Sequence, residues 1–389
     1  METLNYGRWS ELPTDMLTYV LERLNFVDFK RSKLVCTNWY LCSKQTVRAK
    51  YGSPLLMLSL EEDGCVLYNP DEDRVYETTK RDFSGIRFLA NSGNWFLVLD
   101  SRSNLYIIDV FSDKRIDLPP LESFKGGRFR LKQVGDKEFK KDLPNGIGTY
   151  CVTESCENLR GVLWVDEKKE EYIAVWCFDT FLAFCKNGQD YYREIPRDWE
   201  LDCVSDMVLK GYMLYVLTTS DNILLLDLSG QDGFKDVSTS DKLPMSFIDF
   251  ILWRNGDAAT CDSNNIAVTT SGEILLVHSI LYKATGKRIF RVYKTHPDDT
   301  NPVKVDSLGD EALLVDLGIT VPADHTLGIE PNSIYFTRGD RFRNRDRNPN
   351  PIPSSPVDIC VYNLTSKTSK CFPDLSNLKL KEARWFFPS

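Results

Sequence analysis

Only three histidines, His278, His296 and His325, occur in 389 residues, and the eleven cysteines show no repeated short spacing. The sequence has no HExxH and no Cys-x-x-Cys. Its closest cysteine pair, Cys151 and Cys156, has no histidine nearby, which argues against a metal site. There is no GxSxG elbow, and Gly286-Lys287 lacks the upstream glycine of a phosphate-binding loop. No run approaches the roughly 18 apolar residues of a membrane span. The opening METLNYGRWS has no basic stretch followed by an apolar core, so a secretory signal is not expected. A basic excess is missing too. Lys and Arg number 48 against 56 Asp and Glu, for a net charge of −8, which argues against general nucleic-acid binding. Scattered cysteines in odd number fit reduced thiols in a cytoplasmic or nuclear protein. Cys177, Cys185 and Cys360 sit in apolar runs, where cysteine serves as a small hydrophobe.

What is present divides near residue 50. Residues 1–50 carry a net charge of +3 and the remainder −11. Met16, Leu17, Val20, Leu21 and Leu24 mark one face of a helix opening at Pro13. A second helix is expected from Asn25, a good N-cap with the acidic Asp28 three positions on. Leu34, Val35, Trp39 and Leu41 supply a further stripe. Helices this few and short cannot bury a core alone, so their stripes need either the rest of the chain or another protein.

From Ser53 the texture is β. One phrase recurs: an apolar strand, a polar turn and a short strand. It appears at 67–77, 107–119, 184–196, 225–238, 291–308 and 361–375. Further strand candidates precede the phrases, such as 95–100, 172–178, 212–219, 273–280 and 333–339. Repetition of this kind predicts a β-propeller-like domain of six blades over 51–389, with long insertions at 120–150 and 338–356. A β-sandwich or a pair of small barrels is the competing architecture, but roughly 335 residues are too many for one sandwich. The expected fold class is therefore N-terminal α helices followed by a large all-β domain.

The segment 9–45 resembles an F-box, with Leu12, Pro13, Asp15, Leu17, Val20, Leu21, Leu24, Asp28, Val35, Cys36 and Trp39 at the family's marked positions. Asn25 stands where the family usually has a second proline. The resemblance implies that residues 1–50 dock on a Skp-type adaptor, which joins cullin and RING subunits in an SCF ubiquitin ligase. The residues it assigns to that surface are Leu12, Pro13, Leu17, Val20, Leu21, Leu24, Phe26, Val35 and Trp39, some of which must instead hold the helices together. Trp39 is the expected anchor, since large aromatics dominate such interfaces.

Further along, 271–280, 291–294, 305–318, 332–337, 358–366 and the terminal Trp385-Phe386-Phe387-Pro388 resemble plant F-box proteins with a C-terminal kelch-like domain. This implies a propeller that selects an unidentified target protein. The residues themselves offer no catalytic, cofactor or metal site and no nucleic-acid or membrane partner, and the enzyme alternative is a propeller with catalytic groups on loops far apart in sequence. Read from its residues, Trp385 to Pro388 is expected to pack the last blade against the first near Leu55–Leu60, closing the ring.

Asp100, Asp109, Asp227 and Asp316 stand at strand ends and are expected to cap turns. One local charge anomaly remains. Arg338, Arg341, Arg343, Arg345 and Arg347 precede a Pro-rich stretch. They form either a solvated insertion or a contact surface for an acidic or phosphorylated segment of the target, with Arg341, Arg343, Arg345 and Arg347 as its core. The expected function is that of a non-catalytic target-recognition subunit. The alternative is an interaction protein that sequesters a partner without degradation.

Overall fold

In a computed structural model, the described residues are 9–46, 53–61, 64–77, 85–125, 130–145, 148–178, 181–196, 203–219, 222–230, 233–238, 259–282, 285–295, 302–337, 359–372, 375 and 378–388. Helices α1 (Thr14–Arg23), α2 (Phe26–Ser32) and α3 (Thr37–Gln45) follow a 3-10 turn at Trp9–Glu11. Pro13 caps α1, and its carbonyl accepts from the Leu17 N–H at 3.0 Å. Lacking an N–H, Pro13 removes one of the donors that a helix start leaves unpaired. Asn25 opens α2 as its spacing predicts. Its Oδ1 accepts from the Asp28 N–H at 2.8 Å, and its Nδ2 donates to the Asp28 carboxylate at 2.5 Å.

The apolar stripes have two uses. Leu17, Leu21, Phe29, Trp39 and Cys42 close the helices on one another. Phe26 and Val27 of α2 leave that core and join Leu55, Met57, Val110, Phe111 and Phe386 of the β domain. Phe26 meets Phe111 edge-on at 6.1 Å, and Arg31 donates to the Glu77 carbonyl at 2.7 Å. Helices and sheets thus share one buried cluster across the change of texture near residue 50. Among the described residues no helix is long and apolar enough to cross a membrane.

Each recurrent phrase falls on the two outer strands of a unit. In the first sheet Cys65–Asn69 pairs with Arg74–Glu77. In the second, Leu105–Asp109 pairs with Arg115–Asp117. In the third, Phe181–Lys186 pairs with Arg193–Glu194. In the fourth, Ile223–Asp227 pairs with Lys235–Asp236. The last two phrases form the opposite ends of a nine-stranded sheet, Lys287–Thr295 with Val303–Val305 and Ile359–Asn363 with Ser369–Cys371. Strand pairing therefore does not give each of the six phrases a sheet of its own. Ala259–Val268 bonds in parallel to Ile319–Pro322, and Glu311–Leu314 in parallel to Ser333–Thr337, which fuses the final units. Within the expected insertion at 120–150, described residues form strands. Arg130–Gln133, Glu138–Asn145 and Gly148–Ser155 make a three-stranded sheet, with Leu131 and Phe139 buried against the second and third sheets. The insertion at 338–356 lies outside the described residues.

Apolar clusters fill the space between each sheet and the next, from first to second, second to third, and third to fourth. They continue into the nine-stranded sheet, between its two halves, and from its last strands back to the first sheet. The result is a propeller-like ring. Leu380–Phe386 closes it by pairing antiparallel with Leu55–Leu60, with Trp385 opposite Leu56 and Phe386 opposite Leu55. Trp385 is fully buried, edge-on to Tyr335 at 5.2 Å, and its backbone N–H donates to Asp316 Oδ2 at 2.9 Å.

Truncating that side chain tests the closure. Trp385→Ala is expected to lower unfolding stability by about 3–5 kcal/mol, the usual cost of emptying a large aromatic site. Denaturant unfolding of the full chain measures it, and a change within the error of the extrapolation would show that the seam does not limit stability.

Candidate functional site

Two features stand out as surfaces able to receive a partner, the outer face of the helices and the mouth of the ring. In the helical module, the residues assigned from the sequence separate by burial. Leu17 and Leu21 are fully inside. Trp39 is also buried, its indole N–H donating to the Trp9 carbonyl at 2.9 Å. The expected anchor therefore spends its surface holding the helices together. Phe26 is buried against the β domain. Leu12, Val20 and Leu24 pack half-buried against the helical core. Pro13 and Val35 are exposed.

Sequence reasoning did not assign the larger part of the outward face. Trp9, Met16, Tyr19, Leu34, Tyr40 and Leu41 are exposed there with Val35. These seven are most of the eleven large apolar side chains exposed among the described residues, though the module is about a tenth of the chain. Met16, Leu34 and Leu41 belong to the sequence stripes, and a missing neighbour rather than a break in periodicity leaves them outside. Cations flank the patch. The Arg23 guanidinium lies 3.2 Å from the Tyr19 ring centroid, and the Lys44 ammonium 4.5 Å from that of Tyr40.

At the ring axis a cavity of about 580 Å³ opens among the ends of the inner strands. Its wall includes Asn91, Trp164, Lys210, Thr270, Asp316 and Phe387, contributed by successive units and by the C-terminal tail. Lys210 Nζ donates to the carbonyls of Thr269 at 2.7 Å and Thr270 at 3.3 Å. Asp316 accepts from Thr337 Oγ1 on both oxygens as well as from the Trp385 N–H. It is not the turn cap its position suggests; it fastens the last unit to the closing strand. Asp100, Asp109 and Asp227 do cap turns, accepting from the N–H groups of Arg102, Phe111 and Ser229 respectively.

No catalytic constellation emerges from the described residues. No group of three His, Cys, Asp or Glu is placed to hold a metal among them. Cys177, Cys185 and Cys360 are buried. His325 is exposed in a 3-10 turn, and His296 lies outside the described residues, as do Arg338, Arg341, Arg343, Arg345 and Arg347. His278 is buried, with Nδ1 2.9 Å from Asn264 Oδ1 and its ring edge-on to Tyr293. Burial, reinforced by the nearby Arg291 charge, pushes its pKa down from 6.5 to about 4. The neutral ring is thus held in the fold, and unfolding lets it take a proton. Its contribution to stability is complete above pH 6.5 and falls as the pH drops towards 4. The loss reaches about 3 kcal/mol. In His278→Gln the slope of unfolding free energy against pH across this window is expected to fall by about one proton. An unchanged slope would show that His278 already titrates normally in the fold.

Residues 9–48 match the F-box domain family, and residues 67–363 match the family described as the KIB1-4 beta-propeller. Three proteins of Arabidopsis thaliana align with nearly the whole chain. F-box protein At5g25290 is 53% identical, across 98% of this chain and 97% of its own length. F-box protein At2g14290 is 46% identical, across 100% and 99%. F-box protein KIB4 is 32% identical, across 100% and 98%.

Proposed function

The chain belongs to the plant F-box proteins with a KIB1-4 β-propeller, and from that membership we propose that it is the target-recognition subunit of an SCF-type ubiquitin ligase. In this reading the outward face of α1 and α3 binds a Skp-type adaptor, and through it cullin and RING subunits. The β ring holds the protein to be modified. The observation that carries the reading is the concentration of exposed apolar side chains on a module fastened to the ring through Phe26 and Val27. Apolar surface of this extent on one small element is the usual mark of an interface. The cations beside Tyr19 and Tyr40 favour a partner surface with an acidic rim.

The chain's own contribution is positional. Bond making belongs to other subunits, and a receptor accelerates it by raising the local concentration of target lysines near the charged conjugating enzyme. Phe26, Val27 and Arg31 make the helices a fixed extension of the ring, so a target held by the ring keeps one orientation towards whatever the helices bind.

Adaptor capture tests the proposal. Full-length chain is expected to retain a purified Skp-type adaptor, and Val35→Arg with Leu41→Arg to weaken retention by about tenfold or more, since buried charge is poorly tolerated at an interface core. Both positions are exposed, so the melting temperature is expected to stay near that of the wild type. No capture by the wild type would remove the ligase reading. Undiminished capture by the double variant would place the adaptor elsewhere.

A further inference from the structure

We propose that Cys360 and Cys371 are a reversible oxidation site, which a small disulfide such as oxidised glutathione converts into a cross-strand disulfide. Strand Ile359–Asn363 pairs antiparallel with Ser369–Cys371, and the register sets Cys360 directly opposite Cys371. Among the described residues no other strand register opposes two cysteines.

The kind of pair decides whether the sulfurs can meet. Hydrogen-bonded and non-hydrogen-bonded pairs alternate along an antiparallel ladder. At the turn the Asn363 N–H donates to the Thr368 carbonyl at 2.8 Å. Stepping back along the register from that bond, Val361 and Lys370 take a hydrogen-bonded position, and Cys360 and Cys371 a non-hydrogen-bonded one. The opposite edge agrees: the Leu364 N–H donates to the Asn332 carbonyl at 2.8 Å, so the even-numbered residues of this strand turn their backbone groups towards Ser333–Thr337. In a non-hydrogen-bonded pair the α-carbons lie about 4.5 Å apart and the side chains share one face. A disulfide needs roughly 4.4–6.8 Å between α-carbons, so the bond fits near the short end of its range. A bond closed there is under strain, which makes it easier to reduce.

Access is one-sided. Cys371 is exposed on the edge strand of the nine-stranded sheet, and Cys360 is buried behind it. Cys371 therefore reacts first. Its thiol gives a proton to solvent, and the thiolate attacks one sulfur of oxidised glutathione; that S–S bond breaks and one glutathione thiolate leaves. Cys360 then gives up its proton and its sulfur attacks Cys371 Sγ, expelling the second glutathione. Two protein thiols are oxidised and one glutathione disulfide is reduced to two thiols. The next residue makes the link matter to the ring. Phe372 lies edge-on to Tyr68 of the first sheet at 6.0 Å and to Trp385 of the closing strand at 5.8 Å. Oxidation thus staples the hairpin that carries a seam contact.

Peptide mapping of the full-length chain tests this. Trypsin cuts after Lys367, Lys370 and Lys379, which puts the two cysteines on separate peptides. After equilibration of the folded protein with oxidised glutathione and blocking of remaining thiols, those peptides are expected as one linked species, and excess reduced glutathione is expected to separate them. Cys360→Ser removes the second nucleophile, so Cys371 is expected to stop at the mixed disulfide with glutathione. Cys371→Ser is expected to leave Cys360 unmodified. Oxidised wild type is expected to melt about 2–4 °C above the reduced form, with no such shift in either variant. Wild-type Cys371 that stays unmodified, stops at the mixed disulfide or links to another cysteine would overturn the proposal. A link formed without a shift in melting temperature would overturn the stapling of the seam. Adaptor capture plays no part in these measurements, so their outcome is independent of the ligase reading.

Discussion

The whole architecture depends on one strand pairing, Leu380–Phe386 against Leu55–Leu60. In a ring every sheet is covered on both faces by neighbours, so each apolar face is dry only while the ring is shut. Opening the seam would bare Leu56, Leu58 and Trp385 on one side and Leu55, Met57 and Phe386 on the other. Polar side chains reinforce the same logic between inner strands. Asp316 accepts from the Trp385 N–H across the seam, and Asp206 accepts from the Ile266 N–H at 3.0 Å between the fourth sheet and its neighbour. Buried carboxylates are tolerated at these places because backbone and side-chain donors meet them.

The helices sit on this seam. Phe26 packs on Phe111, Phe111 lies 6.5 Å from Phe386, and Phe386 is opposite Leu55 in the closing pair. The F-box helices are therefore seated where the two ends of the β domain meet. Folding of the ring and orientation of the helices are consequently one event: the cluster under Phe26 is complete only after residue 386 has returned to residue 55. A chain that failed to close would lose the seat of its helices along with its core.

This organisation explains what could be read in the sequence. The outer hairpins were legible because each has a half-exposed strand, a polar turn and turn-forming residues such as Asp109, Asp227 and Asn363, which accept from N–H groups two positions on. Inner strands such as Arg87–Ser92 and Val204–Lys210 were not. They carry Asn91 and Asp206, residues that disfavour a strand by propensity, at positions set by the ring axis and the neighbouring unit rather than by their own sheet. The same reason hides the axial cavity, whose wall is gathered from strands and turns scattered between residues 90 and 388. In the helices, periodicity found the stripes and could not say which neighbour each would meet. Trp39 and Leu21 turn inward, Phe26 turns to the ring, and Val35 with Leu41 faces outward.

A substrate receptor needs two surfaces whose relation is fixed, and this chain meets the need by sharing residues between them rather than by stiffening a linker. Helix α2 is only seven residues long, too short to be stable alone, and its conformation is maintained by burial on both sides. Five of those seven residues are buried, including the ammonium-bearing Lys30, which lies over the Phe26 and Phe111 rings at 5.6 and 5.9 Å. Such an element cannot swivel without exposing the cluster that closes the ring. Any rotation of the helices against the ring would cost part of the core that keeps the ring folded, so the geometry between the two surfaces is protected by the stability of the fold itself.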